Sequence, residues 1–405
     1  MKKQFLIPLL IVGLLIIVTI AVVVYGKGYR FDLDRGRPQL SGTGLLVATS
    51  NPNGAQVFIN SNLTTATDNT INLSPGTYTV KIFKDGYFPW EKNIKIQKEV
   101  VAKAEALLLP KAPKLENITA SGVKNPSLDP SQTRIAYTVS SQSVRKNGVY
   151  VLDMSNRPIL TLQSASVQIA DDTTDLFSSS LLSWSPDGTL IVATISGNLN
   201  RSVTYILKAN GFNEFPQNVT ATLPSFKNDW QNEQEEKEKS RIQALKPPLQ
   251  KMISQNFRII AWSPDETKIL YEATASATLP LIIKPRLIGF DSTPEQRSIE
   301  TGAIYVYDMR EDKNYKIEVR SEKLEVGSSQ GQLPLSWFPD SKHLVYVNDK
   351  KINIMEYDGT NSTTVYAGPF VDNYVFSWPN GSKMVILTNL NNTNIEPNLY
   401  TIGLK

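Results

Sequence analysis

The sequence contains no cysteine and only one histidine, His343. Without cysteine there are no disulfides, thiolate metal sites, cysteine nucleophiles or lipidated N-terminal cysteine. A single imidazole also excludes most metal-binding and acid–base constellations. The net charge is only +4 and the basic residues are dispersed, which argues against a nucleic-acid-binding surface. These absences predict a protein with no metal, no cofactor and no nucleic-acid partner.

Charge is also absent from the run between Phe5 and Tyr25, which is apolar and follows Lys2 and Lys3. As a helix this run would rise about 31 Å, enough for the hydrocarbon core of a bilayer. No small-x-small cleavage site follows it. We therefore expect residues 1–27 to be an uncleaved anchor that contacts the lipid bilayer through residues 5–25. Because very short basic N-terminal tails usually stay in the cytoplasm, the bulk of the chain is expected outside the cytoplasmic membrane.

A short motif recurs along most of the remaining chain. It reads WSPDG at 184–188, WSPD at 262–265, WFPD at 337–340 and WPNG at 378–381, with a degenerate first copy, LDPS, at 128–131. A short apolar run follows each copy. Proline with Asp, Asn or Gly favours a tight turn, so each copy predicts a β-hairpin. Repetition of one motif at this scale is typical of a repeat architecture.

A strand with apolar residues on both faces must be covered on both, and radial stacking of such units gives a β-propeller. The motif resembles the WD40-like repeat of TolB-type propellers over residues 114–405. The five motif copies and their spacing predict five blades, with six as the alternative. The motif residues are expected to pack between blades: Trp184, Pro186, Asp187, Trp262, Pro264, Asp265, Trp337, Pro339, Asp340 and Trp378. Because few strands follow Trp378, we predict that residues 115–120 pair beside 398–404 and close the ring.

A smaller β-domain is predicted before the repeats. Residues 28–43 are polar and predict a linker, whereas residues 44–110 alternate apolar and polar residues between turns at 52–55 (PNGA), 74–76 (SPG) and 85–86 (DG). This order resembles the PEGA domain. The resemblance implies a small extracytoplasmic β-sandwich of the kind found on envelope proteins, with proposed roles in adhesion or glycan contact. The clustered aromatics Tyr87, Phe88 and Trp90 either stack on a sugar or cap the sandwich core.

One segment differs in composition from the rest of the repeat region. Residues 227–253 are rich in Glu, Lys and Gln, which predicts a helical insertion. Trp230, Ile242 and Leu245 are expected to fasten it to the propeller. Its charged surface is either a solvated face or a partner-binding element.

No reaction is predicted. The sequence GSSQG at 327–331 matches G-x-S-x-G, but neither a strand before it nor a helix after it is expected. The fold class is therefore predicted as all-β with one N-terminal transmembrane helix, combining a PEGA-like β-sandwich with a β-propeller. We expect a membrane-anchored extracytoplasmic binding or scaffold protein of the cell envelope that contacts protein or glycan. The alternative is a sensor or accessory subunit of a membrane protein assembly that uses the helical insertion.

Overall fold

The structure is a computed structural model. It describes residues 6–26, 29–34, 37–155, 166–197, 202–286, 291–319, 335–371, 374–392 and 394–405. The chain divides into two compact units. The first consists of Met1–Lys111 with Ile283–Glu295, and the second of Ala112–Ile282 with Gln296–Lys405.

The first unit contains one helix and nine of the strands that the structure describes. Helix α1 spans Leu6–Gly26, and a hairpin of β1 (Tyr29–Asp34) and β2 (Arg37–Gly42) lies in the stretch predicted as a linker. The other strands are β3 (Gly44–Asn51), β4 (Gln56–Ile59), β5 (Asn62–Ala66), β6 (Asn69–Leu73), β7 (Gly76–Phe83), β8 (Trp90–Ile96) and β9 (Val101–Leu107). They form a three-stranded sheet in the order β6-β3-β9 and a four-stranded sheet in the order β5-β4-β7-β8.

Alternating burial builds the core of these two sheets. In β9 the small side chains Ala102, Ala104 and Ala106 are buried, while the residues between them are exposed. Strand β3 runs parallel to β9, and its residues Leu46 and Ala48 are buried in the same core. Successive side chains of a strand point to opposite faces, so one face of each sheet enters the core.

The second unit is made of five four-stranded antiparallel sheets. Sheet 1 contains β11 (Lys124–Leu128), β12 (Arg134–Val139), β13 (Gly148–Asp153) and β14 (Ser166–Asp171); sheet 2 contains β15 (Leu181–Trp184), β16 (Leu190–Ser196), β17 (Ser202–Lys208) and β18 (Gln217–Asn218). Sheet 3 contains β19 (Phe257–Trp262), β20 (Lys268–Ala273), β23 (Ile304–Asp308) and β24 (Lys313–Ile317); sheet 4 contains β25 (Leu335–Trp337), β26 (His343–Asn348), β27 (Lys351–Glu356) and β28 (Thr363–Tyr366). Two short strands, β21 (Ala277–Thr278) and β22 (Ser298–Ile299), pair with each other, and a single turn of 3-10 helix spans Phe177–Ser179.

Sheet 5 joins the two ends of the second unit. It contains β29 (Val375–Ser377), β30 (Lys383–Thr388) and β31 (Asn398–Gly403), and its fourth strand is β10 (Leu115–Asn117). Leu115 pairs with Ile402 and Asn117 with Tyr400. The pairing of residues 115–120 with 398–404 that was predicted from the sequence is therefore confirmed.

Two helices occupy the predicted insertion. Helix α2 spans Leu223–Gln243 and α3 spans Pro247–Asn256, with proline in the first turn of each. Proline suits this position because the first helical N–H groups have no intrahelical partner.

The predicted fold class is wrong in three respects. The described residues are mostly β but include three helices, so the fold is not all-β. Crossing a bilayer takes about 20 consecutive apolar residues, and no helix in the described part of the chain is long and apolar enough, which overturns the predicted transmembrane helix at 5–25. Nor do the described strands form a closed propeller sheet. Their backbone hydrogen bonds stop at the edges of separate sheets of two to four strands, and side chains pack between those sheets.

Candidate functional site

The candidate site is a cavity of about 460 Å³ in the second unit, which we call the five-sheet cavity. The first strand of every one of the five sheets, or the residue beside it, contributes to its wall. Trp184, Leu335 and Tyr374 provide apolar surface from three different sheets. A pocket of this size, mostly apolar with a few polar groups, is typical of ligand sites in proteins.

Three polar side chains of the cavity come from one repeated position, and Asn125, Asp129 and Gln132 also line it. Ser127, Ser183 and Ser336 each precede the aromatic or apolar residue that opens a motif, and all three line the cavity. Their hydroxyls make no hydrogen bond to another described residue. The ionisable residue of the wall, Asp129, is buried and accepts hydrogen bonds from the backbone N–H groups of Thr133 and Arg134. The cavity therefore offers neutral hydroxyls beside aromatic surface.

Each motif turn is held by its own side chains. In the WSPDG copy, the Ser185 hydroxyl accepts from the Leu190 N–H at 2.9 Å and donates to Asp187 Oδ1 at 2.5 Å. The Gly188 N–H donates to the Ser185 carbonyl, which closes the turn. The LDPS copy reverses the roles, because Asp129 takes the serine position and receives the hydroxyl of Ser131. The degenerate copy thus keeps the turn with its acid and hydroxyl exchanged.

These contacts shift the acidity of the motif carboxyls. Hydrogen bonds from the Ser185 hydroxyl, and then from the N–H and hydroxyl of Thr189, lower the pKa of Asp187 to about 2. Burial by itself would raise the pKa of Asp340. The hydrogen bond and charge of His343, together with hydrogen bonds from the backbone N–H groups of Lys342 and His343, outweigh burial and lower that pKa. His343 Nδ1 lies 2.6 Å from Asp340 Oδ2, so the single histidine serves a motif turn. It lies outside the cavity wall.

Among the motif tryptophans, Trp184 and Trp337 follow one rule for the acceptor of the indole N–H, and Trp262 does not. Trp184 donates to the carbonyl of Ser127 at 3.0 Å, and Trp337 donates to the carbonyl of Ala261 at 3.3 Å. In both cases the acceptor precedes the first motif residue of the preceding sheet. Trp262 departs from this rule, because its N–H donates to the Glu238 carboxylate at 2.9 and 3.0 Å. The equivalent acceptor would have been the carbonyl of Ser183.

Glu238 reaches Trp262 because the helical insertion packs against two sheets. Phe226 and Trp230 of α2 pack beside Val192 and Ile206 of sheet 2. Farther along the insertion, four apolar residues pack on sheet 3: Ile242, Leu245, Leu249 and Ile253. The fastening role predicted for Trp230, Ile242 and Leu245 is confirmed.

Helix α2 also reaches a second cavity that adjoins the first. This cavity, of about 530 Å³, shares Gln132, Ala261 and Trp262 with the five-sheet cavity and is also lined by Arg241. Arg241 forms an ion pair with Glu266 at 2.6 Å, and its guanidinium lies 5.9 Å from the centre of the Trp262 ring. We call this second cavity the mouth.

Three motif tryptophans pack between two sheets, whereas Trp262 packs in the cluster of sheet 3 and the helical insertion. Trp184 belongs to the apolar cluster of sheets 1 and 2, Trp337 to that of sheets 3 and 4, and Trp378 to that of sheets 5 and 1. The motif acids and prolines lie in the turns between first and second strands: Asp187, Asp265, Asp340, Pro186, Pro264 and Pro339. Of these motif residues, Trp184, Trp262 and Trp337 also line the five-sheet cavity.

The three aromatics proposed for glycan contact are not equally placed. Trp90 is 4% exposed and belongs to the core of the first unit. Tyr87 and Phe88 are half-buried, and Tyr87 forms an isolated β-bridge with Pro110. Their contact with a ligand stays a prediction.

Sequence reasoning missed the serines and Glu238. The serines could have been predicted, because aligning the five motif copies shows serine directly before the motif at 127, 183, 336 and 377. No comparable signal marks Glu238, which is one of four glutamates between residues 233 and 238.

Comparison with known proteins defines part of the chain. Residues 43–111 match the PEGA domain, so this segment is a PEGA domain and the resemblance seen in the sequence is confirmed. No curated protein matches the chain.

Solved structures that resemble the chain include two TolB proteins. One, described as TolB from Agrobacterium tumefaciens, is 13% identical with a TM-score of 0.22, covering 69% of this chain and 78% of that one. TolB from Acinetobacter baumannii is 15% identical with a TM-score of 0.22, covering 81% of this chain and 60% of that one. Hydrazine synthase from Kuenenia stuttgartiensis is 12% identical with a TM-score of 0.20, covering 89% and 95%.

Proposed function

We propose that the chain is an envelope-associated binding or scaffold protein whose ligand, a protein or a glycan, enters the five-sheet cavity. One observation carries the proposal: strands from five separate sheets converge on a single cavity whose serine hydroxyls are available for hydrogen bonds. Hydroxyls beside aromatic surface suit a ligand that is both polar and partly apolar. The PEGA domain supports the envelope setting and supplies a second surface for contact.

The test places a photo-crosslinking amino acid at Ser183 in the full-length chain. Ser183 is exposed and lines the cavity, so a bound ligand would lie within reach of the probe. Purified protein is irradiated with cell-wall sacculi or with detergent-solubilised envelope proteins, and adducts are identified by mass spectrometry. The matched control carries the probe at Ser196, which is exposed at the end of β16 and does not line the cavity.

The proposal expects an adduct at position 183 that is absent at position 196. Filling the cavity by Ser183→Trp should abolish binding of the same ligand, whereas Ser196→Trp should not. Equal adducts at both positions, or binding that survives Ser183→Trp, would contradict a cavity site.

A second candidate function uses α2, because no residue of this helix is fully buried and its outer face is charged. A probe at Glu235 tests whether the chain is instead a sensor or accessory subunit that contacts a membrane assembly through the helix. Adducts from envelope proteins at Glu235 but not at Ser183 would favour this second function.

A further inference from the structure

The Trp262 indole lies where the five-sheet cavity meets its mouth. It lines both cavities, and Ala261 beside it does the same. This one side chain therefore lies at the boundary between the two cavities.

The acceptor of the Trp262 N–H differs in kind from those of Trp184 and Trp337. At the two equivalent indoles, Trp184 and Trp337, the acceptor is a main-chain carbonyl of the preceding sheet. At Trp262 the acceptor is a carboxylate on α2. Hydrogen bonds to a charged acceptor are stronger than those between neutral groups, so Glu238 holds the indole toward the mouth.

The insertion supplies every charged contact of this indole that the structure describes. Glu238 takes the N–H, while Arg241 lies near the ring and is in turn held by Glu266. Glu238 and Ile242 lie on the half-buried face of α2, together with Trp230. Packing at both ends of the helix thus fixes where the carboxylate lies.

We propose that Glu238 is a positioning residue that holds Trp262 at the mouth, so that the helical insertion sets the size of ligand that enters the cavity. The inference rests on the proposed function, since it concerns entry to the same site. Without Glu238, the indole N–H turns to the carbonyl of Ser183, as Trp184 and Trp337 do with their carbonyls. The ring then withdraws from the mouth, and the passage widens.

The absence of cysteine allows a test that needs no ligand. Ser183→Cys in the full-length chain places a single thiol in the cavity wall, and its labelling rate is measured with a small and with a bulky methanethiosulfonate reagent. Glu238→Ala should make labelling by the bulky reagent several-fold faster and leave labelling by the small one unchanged. Glu238→Gln, which keeps an acceptor oxygen, should label at close to the original rate.

Two controls isolate the contact. Glu236→Ala removes an exposed carboxylate of the same helix, whose described partner is Lys239 at 3.3 Å, and should not alter labelling. In a Trp262→Phe background, which has no indole N–H, Glu238→Ala should have no further effect. Fluorine NMR of fluorotryptophan-labelled protein follows the indole directly: the Trp262 resonance, identified by its loss in Trp262→Phe, should shift in Glu238→Ala but not in Glu236→Ala.

Unchanged or slower labelling of Glu238→Ala by the bulky reagent overturns the proposal, whatever the Trp262 resonance does. An effect that persists in the Trp262→Phe background also overturns it. Because labelling requires no ligand, these outcomes are distinct from failure of the crosslinking experiment, which would contradict the proposed function.

Discussion

One residue near the end of each motif turn has a left-handed backbone. Gln132, Gly188, Glu266, Ser341 and Gly381 have φ values between 55° and 68°. Only glycine adopts this conformation without a steric penalty, which for other residues is about 1–2 kcal/mol. Two of the five turns therefore avoid a penalty that the other three accept.

Gly188→Ala should destabilise the second unit by about 1 kcal/mol, because the left-handed penalty exceeds the gain from a less flexible unfolded chain. The new methyl group would also lie 3.1 Å from Arg134 Nη2. Urea unfolding measures the difference. Gly403→Ala is the control, since its methyl group would make only ordinary contacts; equal effects of the two substitutions would contradict the argument.

The carboxylate of Asp187 should make stability depend on pH between about 4 and 2. Its folded pKa is lowered to about 2 from an ordinary 3.8, so its contribution is present above pH 4 and is lost as the pH falls through 2. Asp187→Asn does not titrate. The stability difference between the original protein and this variant should therefore shrink across the window in thermal melts. A difference that stays constant from about pH 5 to pH 2 would contradict the argument.

At the scale of elements, α2 is a helix fastened at its ends. Phe226 and Trp230 pack on sheet 2 and Ile242 on sheet 3, while residues 231–237 between them are exposed. A helix with so little buried surface depends on these few contacts, because most of the stability of a helix in a protein comes from tertiary packing.

Limited proteolysis should therefore cut the native chain within residues 227–241, where lysine and arginine are exposed. Trp230→Ala removes the contact with sheet 2 and should make this cleavage several-fold faster. Asn232→Ala, two residues away on the exposed face, should leave the rate unchanged. If both variants are cut at the same rate, the Trp230 contact does not hold the helix.

For the whole molecule, the decisive feature is that the last sheet takes its fourth strand from the start of the second unit. Besides the ladder with β31, the Ile118 N–H donates to the Leu399 carbonyl at 2.8 Å, and the Leu399 N–H donates to the Thr119 hydroxyl at 2.9 Å. Losing β10 would leave the edge of β31 unpaired, a condition that folded proteins avoid.

Deleting residues 114–121 should lower the thermal transition of the second unit by several degrees. The control replaces the exposed β12–β13 loop, residues 140–147, with a two-residue Asn-Gly turn. This control should melt near the original temperature. A deletion variant that melts with the intact protein would show that the pairing of β10 with β31 contributes no stability.

Features that depend on residues close in the sequence, or on pairing of an exposed strand edge, were predictable from the sequence. The WSPD turns follow from proline, serine and aspartate within five residues. The PEGA strands follow from the alternation of apolar and polar residues along the sequence. Even the pairing of β10 with β31 was predictable, because an unpaired edge strand is unfavourable at any separation along the chain. Hydropathy of residues 5–25 was a poorer guide, since it led to the transmembrane helix that the structure does not support.

Which side chains meet across distant parts of the chain depends on how the sheets and helices pack, and the sequence did not predict it. The serines at 127, 183 and 336 line one cavity because the first strands of different sheets converge there. The Trp262 N–H finds Glu238 rather than a strand carbonyl because α2 packs against both sheet 2 and sheet 3. An indole donor accepts any well-placed oxygen, so its partner depends on where the helix lies and leaves no pattern in the sequence.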